Sequence, residues 1–232
     1  MSVADAAGIV LIVSAVWFNV WFTALARSFE YPEILRQPTP EILARFRAGG
    51  SRLILVWWAF MASGFLFVAS VVLLARALAG DSPTGALFAV VVGVLAGLVQ
   101  VLGLLRWVYL VPALARIDAD PDADDATRAA AAVTFRAFHQ YLGVAVGEHL
   151  GYMLTGLWTI VVGIVLCGSD VVGHWTGWIA LPIGAGLLVA SAEFLGPNEE
   201  KGSKAIGAAV PALYVAWSVW LVALGMALLV TA

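Results

Sequence analysis

The sequence predicts an all-α protein: a polytopic transmembrane bundle of six helices with one short cytoplasmic interfacial helix. Three observations predict it. Of the 232 residues, 62% are hydrophobic and only 12% charged, with a mean hydropathy of +0.98, whereas a soluble domain carries about 25% charged residues. The apolar residues fall in blocks of roughly 18 or more with almost no charge, the length that a hydrocarbon layer of about 30 Å demands of a helix. The blocks are separated by short polar connections, so the whole of residues 1–232 reads as one domain of antiparallel neighbours.

The predicted spans are 6–26, 53–76, 84–112, 141–166, 172–194 and 206–231. The first is read as a retained helix, because Met1 to Asp5 hold no Lys or Arg and no small-residue cleavage site follows. Ten of the twelve basic residues lie at connections one, three and five: Arg27, Arg36, Arg45, Arg47, Arg52, Arg116, Arg128, Arg136, Lys201 and Lys204. Arg76 alone marks the opposite side. By the positive-inside rule these connections face the cytoplasm, which places both termini outside the inner (plasma) membrane of a bacterium.

In the first connection Thr39 is placed to cap a helix that opens at Pro40 and Glu41 and closes at Gly49 and Gly50. Its Ile42, Leu43 and Phe46 beside Arg45 and Arg47 predict a helix lying on the inner leaflet. The third connection holds Asp118, Asp120, Asp122, Asp124 and Asp125. Pro121 among them, and the missing turn glycine and closing glutamate, argue against a calcium loop. Asp124 or Asp125 is instead predicted to cap a helix from Ala126 to about Phe138 that runs into span four.

A net charge of -3 excludes the broad basic surface that nucleic-acid partners need, and the single Cys167 excludes an internal disulfide and a cysteine metal cluster. Ferritin-like and zincin motifs are absent, and His139 and His149 share one helix, which does not suit a bis-histidine haem. Ser169, Asp170 and His174 read as a polar turn. Trp21, Trp57, Trp58 and Trp107 at one side and Trp175 and Trp178 at the other read as interfacial belts, with Trp158, Trp217 and Trp220 deeper. No cofactor follows from the sequence.

An ionisable side chain at the bilayer centre costs at least about 2.5–3.5 kcal/mol, so each one is a candidate for function. Arg106 in span three and Glu148 in span four are equidistant from residue 127 in the connecting turn, which sets them level and predicts a pair. Counting from the same end brings Asn19 and Tyr214 to that depth. Tyr141, Glu148, Tyr152, Thr155 and Thr159 fall on one helical face, and Gln100 and Gly103 lie within two turns of Arg106. The candidate binding layer is thus Arg106, Glu148, His149, Tyr152, Gln100, Asn19 and Tyr214, approached closely through Gly143, Gly147 and Gly151. Pro182, Gly184 and Gly186 are predicted to bend span five and free carbonyls toward a cavity.

The run Gly103-Leu-Leu-Arg106-Trp107-Val-Tyr-Leu-Val-Pro112-Ala-Leu-Ala115, then His139-Gln140, Gly147-Glu148-His149-Leu150-Gly151 and Leu157-Trp158, resembles the bacterial multi-pass membrane family known as domain-of-unknown-function family 4386. Tyr31-Pro32-Glu33-Ile34-Leu35-Arg36, leading to Arg45-Phe46 and Gly49-Gly50, is similar to its actinobacterial members. The resemblance implies a six-span fold and supplies no activity. The first functional expectation is a non-enzymatic protein whose polar layer binds a small molecule or lipid headgroup, among membrane lipids, as a homo-oligomer or within a membrane complex. The second is a small transporter with Glu148 as proton-coupled group and Arg106 as anion contact. The third is a membrane enzyme using His149 as acid or base.

Overall fold

The computed structural model describes residues 1–199 and 201–231. Its helices are α1 (Val3–Phe29), α2 (Thr39–Leu78), α3 (Pro83–Asp118), α4 (Asp125–Phe138), α5 (Gly151–Cys167), α6 (Trp175–Ala190) and α7 (Lys204–Thr231). A π-helix, His139–Leu150, joins α4 to α5 without a break, so Asp125–Cys167 is one rod of 43 residues. Five rods (α1, α2, α3, the α4–α5 rod and α7) are long and apolar enough to cross a membrane. The sixth, α6, is apolar but has 16 residues, about 24 Å at 1.5 Å per residue. The protein is an all-α, multi-pass membrane bundle.

Close approaches give the arrangement. Gly97 meets Val68 and Gly64, and Gly93 meets Val71, so α2 and α3 run antiparallel. Gly156 against Gly184 and Gly163 against Gly177 set α5 antiparallel to α6, while Gly8 against Gly225 and Asn19 against Ser218 do the same for α1 and α7. α3 packs on α5 and α6 on α7, which closes the six apolar rods into a ring. Both ends of the chain lie at one end of this ring, and the ten basic residues of connections one, three and five lie at the other, the basic end.

Gly50 breaks α2. Its φ of 55° and ψ of -155° divide the helix into residues 39–49 and 51–78, and glycine alone adopts such a conformation at little cost. The short helix is the one expected in the first connection, but its apolar face is not in lipid. Ile42, Leu43 and Phe46 are at most 2% exposed, packed by protein against Trp107 and Phe135. Thr39 does not cap it either. The helix begins one residue earlier than expected, and the Pro38 carbonyl accepts from the N–H groups of Glu41 and Ile42 at 2.9 and 3.2 Å. Asp124 does cap α4, accepting from the Thr127 N–H at 2.8 Å, and these bonds with Thr127 hold its carboxyl below the usual carboxylate range.

Two cores divide the ring by depth. Toward the end away from the basic face, Trp158, Trp217 and Trp220 close around Phe67 and fill the interior. Trp217 donates to Thr159 Oγ1 at 3.0 Å and Trp220 to the Thr176 carbonyl at 2.9 Å, so these two tryptophans are satisfied within the packing. At the basic end, Trp57 and Trp107 stack at 4.5 Å and 6° with Phe29 edge-on to both. These two are fully buried, not belt residues, because the first connection folds over them; Trp58, Trp175 and Trp178 remain exposed. In the fourth connection the Ser169 hydroxyl donates to Asp81 at 2.5 Å, tying that turn to the one between α2 and α3.

The α5–α6 seam is the least forgiving contact. A Cβ on Gly156 would stand 2.7 Å from the Gly184 carbonyl oxygen and 2.9 Å from the Leu188 nitrogen, both backbone atoms that cannot rotate away. Gly156→Val is expected to cost about 1–3 kcal/mol, read as a lower thermal midpoint of tryptophan fluorescence in detergent. Gly80→Ala, where no atom lies within 4 Å of the new carbon, leaves the midpoint unchanged.

Candidate functional site

The basic half of the ring surrounds a chamber of about 190 Å³ where the opposite half is solid with tryptophan. Phe18, Asn19 and Phe22 of α1 reach it from one side, Gln100 and Arg106 of α3 from another, and Tyr214 of α7 from a third. The rod supplies Gly143, Gly147 and Glu148 from the π-helix and Tyr152 from the first turn of α5. Tyr31 and Pro32 fold in from the first connection. Six of the seven candidate residues, Arg106, Glu148, Tyr152, Gln100, Asn19 and Tyr214, therefore face one space.

Arg106 is held from several sides. Its Nη1 donates to the Gly103 carbonyl, its guanidinium carbon lies 5.3 Å from the Trp107 ring centre, and its Nη2 lies so close to Gly143 that a Cβ there would come within 2.6 Å. Only 6% of the residue is exposed, and Nε is buried without a partner among the described residues. The backbones of α3 and the π-helix can approach because Gly103 faces Gly147, with 2.8 Å between a Cβ on the first and the Cα of the second.

The predicted Arg106–Glu148 pair does not form. Among the described residues no nitrogen–oxygen contact within 4.0 Å joins them, although both face the chamber. The reason is geometric: packing on Trp107 and Gly143 fixes the guanidinium, while the π-helix sets where Glu148 points. The Glu148 carboxylate and the hydroxyls of Tyr31, Tyr152 and Tyr214 take no hydrogen bond from described residues. Gln100 donates to Thr155 Oγ1 at 3.0 Å, and Asn19 Nδ2 to the Ala15 carbonyl and Ser218 at 2.8 and 2.9 Å. Tyr214 stacks on Phe18 at 5.7 Å and meets Tyr152 edge-on at 5.5 Å.

His149 stands apart from the layer. Its Nδ1–H donates to the Ser191 carbonyl at 2.7 Å, and it borders neither the chamber nor the cavity beside it. Tyr141 also leaves the expected face and is 66% exposed, because i to i+5 turns carry more residues than α-turns and seven residues no longer complete nearly two turns. Val144 takes the inward direction in its place and borders the vestibule. Pro182, Gly184 and Gly186 line neither cavity, since α6 is packed tightly on α5 and α7.

A second cavity, the vestibule, of about 470 Å³, lies on the basic side of the chamber. It shares Tyr31, Pro32, Glu148, Tyr152, Val210 and Pro211 with it, and Arg36, Glu193 and Lys201 stand farther out. A lateral groove of about 860 Å³ between α1 and α7 shares Asn19 and Val215 with the chamber. Sequence reasoning missed Tyr31, Phe18, Phe22 and Phe60. The only signal was the number of aromatic residues near the end of span one, which also fits ordinary packing.

Together these features define a class: a multi-pass helical membrane protein with a charged, aromatic-walled chamber open toward one face. The family model described as a domain of unknown function (DUF4386) matches residues 6–225, and the chain belongs to that family. No curated protein and no solved structure matches it.

The contrast between His149 and the chamber residues is testable. His149→Leu leaves the Ser191 carbonyl unpaired and is expected to cost about 1–3 kcal/mol, seen as a lower thermal midpoint in detergent. His149→Asn, whose amide takes the place of Nδ1–H, recovers most of it. Full stability of the leucine variant would mean that the bond contributes nothing.

Proposed function

We propose that this protein binds a small molecule through an anionic group, with Arg106 as its anchor, and performs no chemistry on it. The carrying observation is a buried guanidinium that lines a cavity and, among the described residues, has no carboxylate against it. A buried charge without compensation costs several kcal/mol, and a ligand carboxylate or phosphate supplies the compensation through charge-assisted hydrogen bonds. By the positive-inside rule the basic end faces the cytoplasm and both termini lie outside. The ligand then enters from the cytoplasm through the vestibule, past Arg36 and Lys201. Membrane lipids fill the apolar groove between α1 and α7.

A second reading, a proton-coupled transporter, is favoured by one observation: Glu148 lines both the chamber and the vestibule. Passage across the membrane would then require the tryptophan core at the far end of the chamber to open.

Two measurements test the first reading. Small molecules extracted from purified wild-type protein and from Arg106→Gln are compared by mass spectrometry, per mole of folded protein. An anionic species enriched in the wild type and lost in the variant is expected; equal amounts in both, or none in either, would overturn the reading. For orientation, a cysteine at position 170 of a Cys167→Ser variant should react with an impermeant thiol reagent in intact cells, and one at position 122 should not. The reverse pattern would invert the protein.

A further inference from the structure

We infer that the ligand of the chamber is a zwitterion, an amino carboxylate whose acid group meets Arg106 and whose ammonium group meets Glu148. This rests on the anion-binding reading above and adds the second charge.

Two opposite charges share one small space and do not touch. Both residues line the chamber, and no nitrogen–oxygen contact within 4.0 Å joins them. In a low-dielectric interior, opposite charges free to meet would do so, since their attraction there far exceeds its value in water. Arg106 is not free: Gly103, Gly143 and Trp107 fix its guanidinium. Glu148 projects from the π-helix and accepts no hydrogen bond from described residues. Each charge thus presents unused bonding capacity to the same cavity.

A simple anion satisfies only half of this arrangement. It would pair with Arg106 but sit beside Glu148, whose charge repels it. A simple amine meets the converse problem at Arg106. A molecule with both charges satisfies both residues and leaves the chamber no more charged than before. The rings of Phe18, Phe22, Phe60, Tyr31 and Tyr214 line the same space, and aromatic faces attract ammonium groups. The chamber of about 190 Å³ continues into the vestibule of about 470 Å³, which gives room for a molecule the size of a single amino acid.

Matched probes decide the matter. Leucine carries both charges, isocaproate is leucine without its amine, and isopentylamine is leucine without its carboxylate; ε-aminocaproate keeps both charges at a longer spacing. Binding of each to the full-length protein in detergent is measured by calorimetry, with folding of every variant checked by size-exclusion chromatography. At least one zwitterion is expected to bind ten times or more tighter than isocaproate or isopentylamine. Glu148→Gln, which keeps the size of the side chain, should reduce that zwitterion to the level of isocaproate, and Arg106→Gln should abolish binding of both. Glu148→Asp, which keeps the charge, should retain the preference for zwitterions and guards against a merely structural loss. Equal binding of isocaproate and the zwitterions, with Arg106→Gln losing both, would overturn the zwitterion and leave the anion site standing. Indifference of every probe to Arg106→Gln would overturn both.

Discussion

A guanidinium that is buried, positively charged and held away from the acid at its own depth is the constraint on which the basic half of the protein depends. A charge in that position is costly in a bundle of this hydropathy, and its surroundings are built around it. Gly143 has no side chain because Arg106 occupies the space one would need. Gly103 bonds it through the backbone and, by packing on Gly147, brings α3 within reach of the π-helix. Trp107 offers its ring to the cation and is itself stacked on Trp57. The first connection then closes over that stack with Phe29 and Phe46. The polar centre and the aromatic core beside it are one piece of packing.

The two ends of the ring treat polarity in opposite ways. Away from the basic face, most interior polar groups bond within the protein: Ser14 bonds Ser70, Trp217 bonds Thr159 and Trp220 bonds the Thr176 carbonyl, while Trp158 Nε1 has no partner among the described residues. Toward the basic face, Arg106, Glu148 and three tyrosines turn their polar atoms into a common space. A bundle held together by polar contacts alone would resemble the first half throughout, since such contacts in membranes average only about 0.6 kcal/mol and are satisfied locally.

Much of the fold was legible in the sequence because lipid imposes simple rules on length, charge and backbone bonding. The same rules gave the depth of the layer, since antiparallel rods of known rise make counting from a turn a measure of height. Counting could not give azimuth. Tyr141 was placed by α-helical periodicity and His149 by its depth beside Glu148; along the π-helix Tyr141 comes to the surface, and His149 bonds the Ser191 carbonyl outside the chamber. Nor could counting reveal the first connection folding inward. Tyr31, which roofs the chamber, and Ile42, Leu43 and Phe46, which pack on protein where the sequence suggested lipid, have surroundings set by residues far along the chain.

The π-helix has a further consequence for how this chain tolerates change in length. Its hydrogen-bonded rings each enclose one residue more than those of an α-helix, so residues 139–150 hold slack that the other rods lack. Removal of a residue there tightens a turn toward α-geometry while α4 and α5 keep their places at either end. The span survives, but the side chain that looks inward becomes the neighbour of the one that did. In this stretch, a single-residue insertion or deletion is a change of chamber chemistry, whereas in α3 or α7 it would shift every residue beyond it out of register with the ring.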